Sequence, residues 1–378
     1  MPAISPARRI AFDILAQVEA GAHSTDLLHR QTASLSPRDA ALAHELTLGP
    51  LRRRAQLDFL IEHFSAKPPS KLDPEVRLAL HLGIYQLRYL DRIPAHAAIS
   101  ESVELVHRAR IRSATGFVNA VLRKVHREPI PWPTRAVEFC IPEWMLNRWQ
   151  DAEVIAQAFL KPPETWIRVP PGTPVPEGAE PTGLPGCYLW TRNSPPEFRI
   201  QDIGSQSIVP LLELTSTHRM LDLCAAPGGK TAQARETTSQ VIAADRSLQR
   251  LATIAAPRVT LDATQPLPFR AVFDRILVDA PCSGTGTIGR NPEIRWRVTP
   301  EDLVRHQERQ IQILHNALTC LVPNGKLVYS TCSLEPEENE SVVAQLPPGW
   351  QVEATLRRTP GQDPGDSFFA ARISRKPR

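Results

Sequence analysis

Met220-Leu221-Asp222-Leu223-Cys224, followed by Ala225-Ala226-Pro227-Gly228-Gly229-Lys230, is the stretch on which the reading of the fold rests. Its first half is short and apolar, as a buried strand is. The glycine pair lets backbone approach a ligand closely, and Thr231-Ala232-Gln233-Ala234 begins a helix with free N–H groups at its start. The glycine spacing matches neither G-x-G-x-x-G nor G-x-x-x-x-G-K, which disfavours a dinucleotide fingerprint and a phosphate loop.

Outward from this stretch the chain alternates strand and helix, the βαβ pattern of a mostly parallel sheet. Strands are expected at Val241–Asp245, Val259–Asp262 and Phe273–Asp279. Thr299-Pro300-Glu301-Asp302 caps a long helix through Ile311, Leu314, Leu318 and Leu321. Pro323-Asn324-Gly325 then turns into a strand, Lys326 to Tyr329, that ends in Ser330-Thr331-Cys332-Ser333. Open α/β sheets bind ligands at the carboxyl ends of their strands. Asp245, Asp262 and Asp279 fall at such ends, and a carboxylate there can hold the two hydroxyls of a ribose. S-adenosylmethionine, with its ribose, adenine and cationic amino acid, suits this edge.

Two cysteines reach the same edge: Cys332, and Cys282 in Asp279-Ala280-Pro281-Cys282-Ser283-Gly284-Thr285-Gly286. The Asn/Asp-Pro-Pro-Tyr/Phe clamp of amino-methylating enzymes is missing, which argues against methylation of a planar amino group. Paired thiols instead suit methylation at pyrimidine C5. That carbon becomes nucleophilic only after a thiolate adds to C6, and removal of the C5 proton later expels the thiolate.

Residues 1–128 read as helices throughout. Ile10, Ile14, Leu15 and Val18 recur at helical spacing, Ser36-Pro37-Arg38-Asp39 opens a helix expected to end at Gly49-Pro50, and further helices follow Asp73-Pro74 and Pro94. Through residue 130 there are 18 Lys+Arg against 13 Asp+Glu, whereas the remainder has 26 against 27, so the basic excess of this +4 chain is N-terminal. That suits a polyanionic partner. Prolines crowd residues 129–198, read as a small linker subdomain with a strand at Trp166–Val169. No apolar run is long enough to span a membrane. The six cysteines form no C-x-x-C pair, so a zinc site and a disulfide scaffold are both disfavoured and a reduced cytoplasmic protein, with no metal, is expected.

Leu221–Lys230, Asp279–Gly286, and Ser330–Ser333 with Pro336-Glu337-Glu338-Asn339 resemble the RNA cytosine-5 methyltransferases. Ile99–Leu105 and Gly116–Arg123 resemble the NusB-like RNA-binding domain, so the whole chain is similar to the RsmB (Fmu/Sun) branch, which methylates a cytosine of 16S ribosomal RNA. The resemblance implies an α/β fold class: a Rossmann-like methyltransferase domain at 199–378 with a mostly parallel seven-stranded sheet, preceded by the all-α domain and the linker. It implies Cys332 as nucleophile and Cys282 in product release, with Asp279 and Lys230 in the active site. Cys224, Ala225, Ala226, Pro227, Gly228, Gly229, Lys230, Asp245, Asp262 and Asp279 would line the S-adenosylmethionine site. Arg290, Arg295, Trp296 and Arg297 would face RNA, joined by Arg52 and Arg53 of the helical domain. The expected partner is 16S ribosomal RNA, free or in an assembling subunit, and the expected state a monomer. The span from Asp245 to Asp262 is short for the family and leaves little room for a full helix around Leu248 and Leu251. The same chemistry on transfer RNA or another ribosomal cytosine, and a non-catalytic RNA-binding adaptor, are the alternatives.

Overall fold

A computed structural model describes residues 4–192 and 194–377, in two compact units. The first takes the chain up to Pro162 and adds the distant segment Ile288–Arg297. Its helices are α1 (Pro6–Glu19), α2 (Ser24–Gln31), α3 (Pro37–Arg52), α4 (Arg54–Ser65), α5 (Pro74–Tyr89), α6 (Ala95–Arg108) and α7 (Thr115–Lys124), then the short α8 (Arg135–Phe139), α9 (Glu143–Leu146) and α10 (Ala152–Leu160). α5 is the hub: Val76, Leu78, Ala79, Leu80, Leu82 and Ile84 are buried, so more than one of its faces carries neighbours. α3 passes through Gly49-Pro50 and ends at Arg52. The glycine serves packing there, not termination, because a Cβ on Gly49 would lie 2.1 Å from the Tyr85 ring.

The segment 288–297 joins the helical unit through buried polar groups. The Glu293 carboxylate accepts the backbone N–H of Ser24 at 2.8 Å and its hydroxyl at 2.9 Å, satisfying a free donor at the start of α2. Arg295, 1% exposed, donates through Nη1 to the carbonyls of Arg52 (2.7 Å) and Cys140 (3.0 Å). Arg297 donates to the carbonyls of Val18 and Ala22. Trp296 packs against the helical core, under the Arg54 guanidinium.

The second unit holds Pro163–Thr287 and Val298–Arg378. A small antiparallel sheet, β1 (Trp166–Arg168), β2 (Ala179–Pro181), β3 (Cys187–Trp190) and β4 (Arg199–Ile200), has the order β2-β3-β1-β4. The expected linker subdomain is thus divided: its helices belong to the first unit and its strands to the second. The main sheet comprises β5 (Met220–Leu223), β6 (Val241–Asp245), β7 (Arg258–Thr260), β8 (Phe273–Asp279), β9 (Leu321–Thr331), β10 (Trp350–Arg358) and β11 (Phe368–Arg375). Its order is β10-β11-β9-β8-β5-β6-β7, parallel from β9 to β7 and antiparallel at β11 and β10.

This is a Rossmann-like sheet, and growth reverses direction between β5 and β8, the switch point at which such sheets form a crevice. Between β6 and β7 only Leu248–Leu251 is helical, in keeping with the short span. Leu321 and Pro323-Asn324-Gly325 lie within β9 and not before it. Pairing with β8 jumps from Phe273↔Leu321 to Arg275↔Lys326, so the turn-forming residues are absorbed as a bulge.

Candidate active site

β8 and β9 are parallel neighbours in a register that sets Asp279 opposite Ser330. Both strands run out at one edge, so the loops carrying Cys282 and Cys332 leave side by side. The two sulfurs are 3.5 Å apart. Contact with the Cys332 sulfur, and then burial, push the Cys282 thiol well above its ordinary pKa. Gly286 donates its N–H to the Cys332 carbonyl at 3.0 Å. A Cβ on Gly286 would meet that oxygen at 2.7 Å and the Ser367 Cβ at 2.3 Å, so only glycine permits this approach.

Asp279 is fixed from two sides. Lys230 donates to one carboxylate oxygen at 2.7 Å and the Ser330 hydroxyl to the other at 2.9 Å. Lys230, at a helix start where a surface lysine would be usual, is 8% exposed, with its ammonium 5.0 Å from the Phe368 ring centroid. Asp222, on β5, is fully enclosed: Thr231 donates to one oxygen at 2.5 Å and the other is buried without a partner. Burial raises its pKa from 3.8 to about 7.

Beside this group is a cleft of about 160 Å³ lined by Cys224, Asp245, Asp262 and Pro281, with Leu261, Ala263 and Ile313 as apolar walls and Arg246, Arg250 and Arg309 at its polar side. Asp245 accepts the N–H groups of Ala226 (3.1 Å) and Ser247 (2.9 Å). Hydrogen bonds from Thr264 hold the Asp262 carboxyl below its ordinary range. Of the glycine loop, Cys224 lines this cleft, whereas Pro227 and Gly228 line a separate hollow of about 330 Å³ with Arg199, Arg235 and Glu236. Gly228 has φ +99°, and a Cβ there would lie 2.7 Å from Ile254.

Sequence reasoning did not identify Arg309 and Ile313, which come from the distant helix Pro300–Leu318, nor Arg246 and Arg250, which follow Asp245 closely and read as ordinary surface cations. Among the described residues, no group of three or more His, Cys, Asp or Glu could hold a metal ion, and no helix is long and apolar enough to cross a membrane.

The expected RNA-facing residues separate. Arg295 and Arg52 are buried, 1% and 4% exposed, and donate to backbone carbonyls inside the helical unit; Arg52 reaches the Gly289 carbonyl at 3.1 Å. An interior guanidinium so used is not available to phosphate, which corrects the expectation for these two. Arg53 stacks on the Tyr89 ring and donates to Gln56. Arg290, Trp296 and Arg297 are partly exposed.

Two family models match this chain: "16S rRNA methyltransferase RsmB/F" over residues 209–350 and "NusB family" over residues 5–127. Ribosomal RNA small subunit methyltransferase B of Klebsiella pneumoniae is 31% identical across 98% of each chain. The probable enzyme of that name from Bacillus subtilis is 32% identical over 93% of this chain and 91% of its own. In structure, PH0851 superposes with a TM-score of 0.80 at 20% identity, covering 99% of this chain and all of that one, a likeness of fold.

Proposed function

The chain belongs to the 16S rRNA methyltransferase RsmB/F family, and on that premise we propose that it methylates C5 of a cytosine in small-subunit ribosomal RNA through a covalent adduct at C6. The observation that carries this reading is the pair of thiols in contact at one strand edge, beside an anchored carboxylate. Cys332 adds to C6, and C5 gains enamine character and accepts the methyl group. Transfer of the C5 proton to a base, which a solvent water can supply, then restores the C5–C6 double bond and breaks the C6–S bond, so that Cys332 leaves as thiolate. Cys282, whose thiol resists ionisation, suits a group that keeps its proton beside the departing sulfur. Asp279, held by Lys230 and Ser330, would take the N3 and amino edge of the base. The target has to leave its stack to reach these groups.

S-adenosylmethionine fits as the cofactor and would supply an electrophilic methyl group. The carboxylates of Asp245 and Asp262 suit ribose hydroxyls, and Leu261, Ala263 and Ile313 suit a planar base. RNA contact by the helical unit is assigned to exposed cations such as Arg112, Arg123 and Lys124 in place of Arg52 and Arg295.

The test is transfer of labelled methyl from S-adenosylmethionine to unmodified 16S RNA, followed by nucleoside analysis. 5-Methylcytidine in 16S RNA supports the reading. Label in transfer RNA alone moves the substrate, and no label in any RNA favours a binding adaptor.

A further inference from the structure

Pro336–Glu338 form a single helical turn shortly after Cys332, and the Glu338 side chain is wholly buried. One of its oxygens accepts the backbone N–H of Ser283 at 2.8 Å and the Gln310 amide at 3.1 Å. The other accepts the hydroxyl of Ser333 at 2.5 Å and that of Ser283. Ser283 directly follows Cys282, and Ser333 directly follows Cys332. The carboxylate is therefore a pin through both cysteine loops, and Gln310 ties it to the helix Pro300–Leu318. Its own turn is anchored too, because Tyr329 donates its hydroxyl to the Glu338 carbonyl at 2.7 Å. Asn339 completes the Cys332 side, accepting from the Thr331 hydroxyl and donating to the Ser333 carbonyl.

We propose that Glu338 is a positioning residue that fixes the spacing of the two thiols, an inference that rests on the two-thiol reading of the reaction. A thiol that serves the departing sulfur of its neighbour must stay beside it, and the two loops come from different strands with no covalent link nearby. A displacement of about 1 Å in such a group costs on the order of 100-fold in rate. The N–H donors of Ser283 and Gln310 cannot reverse direction, and the hydroxyl of Ser333 is the pin's hold on the Cys332 loop. The hydroxyls can accept as well as donate.

Glu338→Met keeps the length of the side chain and removes both acceptors, whereas Glu338→Gln can offer its oxygen to the N–H donors and its amide to the hydroxyls. The primary readout needs neither RNA nor cofactor. Diamide takes two hydrogens from a thiol pair and leaves a disulfide, so the rate of Cys282–Cys332 cross-linking, followed by peptide mapping, reports how often the sulfurs meet. We expect Glu338→Met to cross-link about tenfold more slowly, with kcat down about 100-fold and the KM for RNA little changed. Glu338→Gln should recover most of both. Cross-linking by Glu338→Met at the wild-type rate overturns the inference. If Glu338→Met does not fold, Ser333→Ala removes one donor in its place: slower cross-linking supports the pin and an unchanged rate refutes it. Wild-type protein that cross-links rapidly yet methylates no RNA would defeat the proposed function and leave the pin to be judged by these variants alone.

Discussion

Arg295 offers the sharpest division between a nucleic-acid contact and a structural role. Its Nη1 serves two backbone carbonyls, Arg52 and Cys140, while Nε and Nη2 are buried without partners. Arg295→Ala leaves both carbonyls unpaired, at about 1–3 kcal/mol each. The emptied volume adds roughly 2 kcal/mol. Against this, burial lowers the guanidinium pKa from 12.5 to about 10, a penalty of about 3 kcal/mol that the truncation removes. The balance is a loss of roughly 3 kcal/mol in the helical unit. Arg295→Met escapes the same desolvation and also fills most of the volume, so without the cavity cost it should lose only about 1 kcal/mol. Urea unfolding followed by far-ultraviolet circular dichroism reads the stability. RNA affinity against salt concentration reads the contact, since losing one phosphate partner lowers the slope by about 0.7–0.9. The structure predicts lower stability with an unchanged salt slope. Full stability with a reduced slope would refute the interior assignment and return Arg295 to the RNA surface.

The segment's burial also sets the expected outcome of domain deletion. Removing residues 1–162 strips Glu293 and Trp296 of their partners, so the product should aggregate; replacing 288–297 as well with a short glycine–serine link should restore soluble, cofactor-binding protein, and a soluble single deletion would contradict this. Asp222 sets a pH dependence. The folded state holds its proton up to about pH 7 and the unfolded chain only to about 4, so this group costs stability as pH rises between them and the cost is complete above 7. Denaturation should show roughly 3 kcal/mol lost between pH 5 and pH 8 from this group, absent in Asp222→Asn; equal slopes in the two proteins would refute the account. Gly286→Ala, forced against the Cys332 carbonyl, should lower methyl transfer at least about tenfold while cofactor affinity is retained.

The parts of the fold readable in the sequence are those that local chemistry determines. Strands ending at Asp245 and Asp279, the glycine turn at Gly228 and the capping box at Thr299 appear where side-chain pattern and turn residues announce them. The contact of Cys282 with Cys332 follows from two strand ends only once β8 and β9 are known to be neighbours, and that adjacency is topological. The placement of 288–297 was illegible for a stronger reason. Its partners are far away in sequence, at Ser24, Arg52 and Cys140, and an arginine-rich segment reads as surface because charged side chains are so seldom interior. Gly49-Pro50 misled similarly: residues that stop an isolated helix were retained inside one to admit the Tyr85 ring. Glu338 falls within the Pro336–Asn339 motif, but nothing local distinguishes a pin between two loops from a solvated carboxylate.

The central claim is the division of labour between the two thiols, and covalent trapping on 16S RNA tests it most directly. With S-adenosylmethionine present, Cys282→Ala should accumulate an RNA–protein adduct that survives denaturation, and Cys332→Ala should form none and transfer no methyl group. An adduct in Cys332→Ala that is absent from Cys282→Ala would reverse the roles and contradict the account.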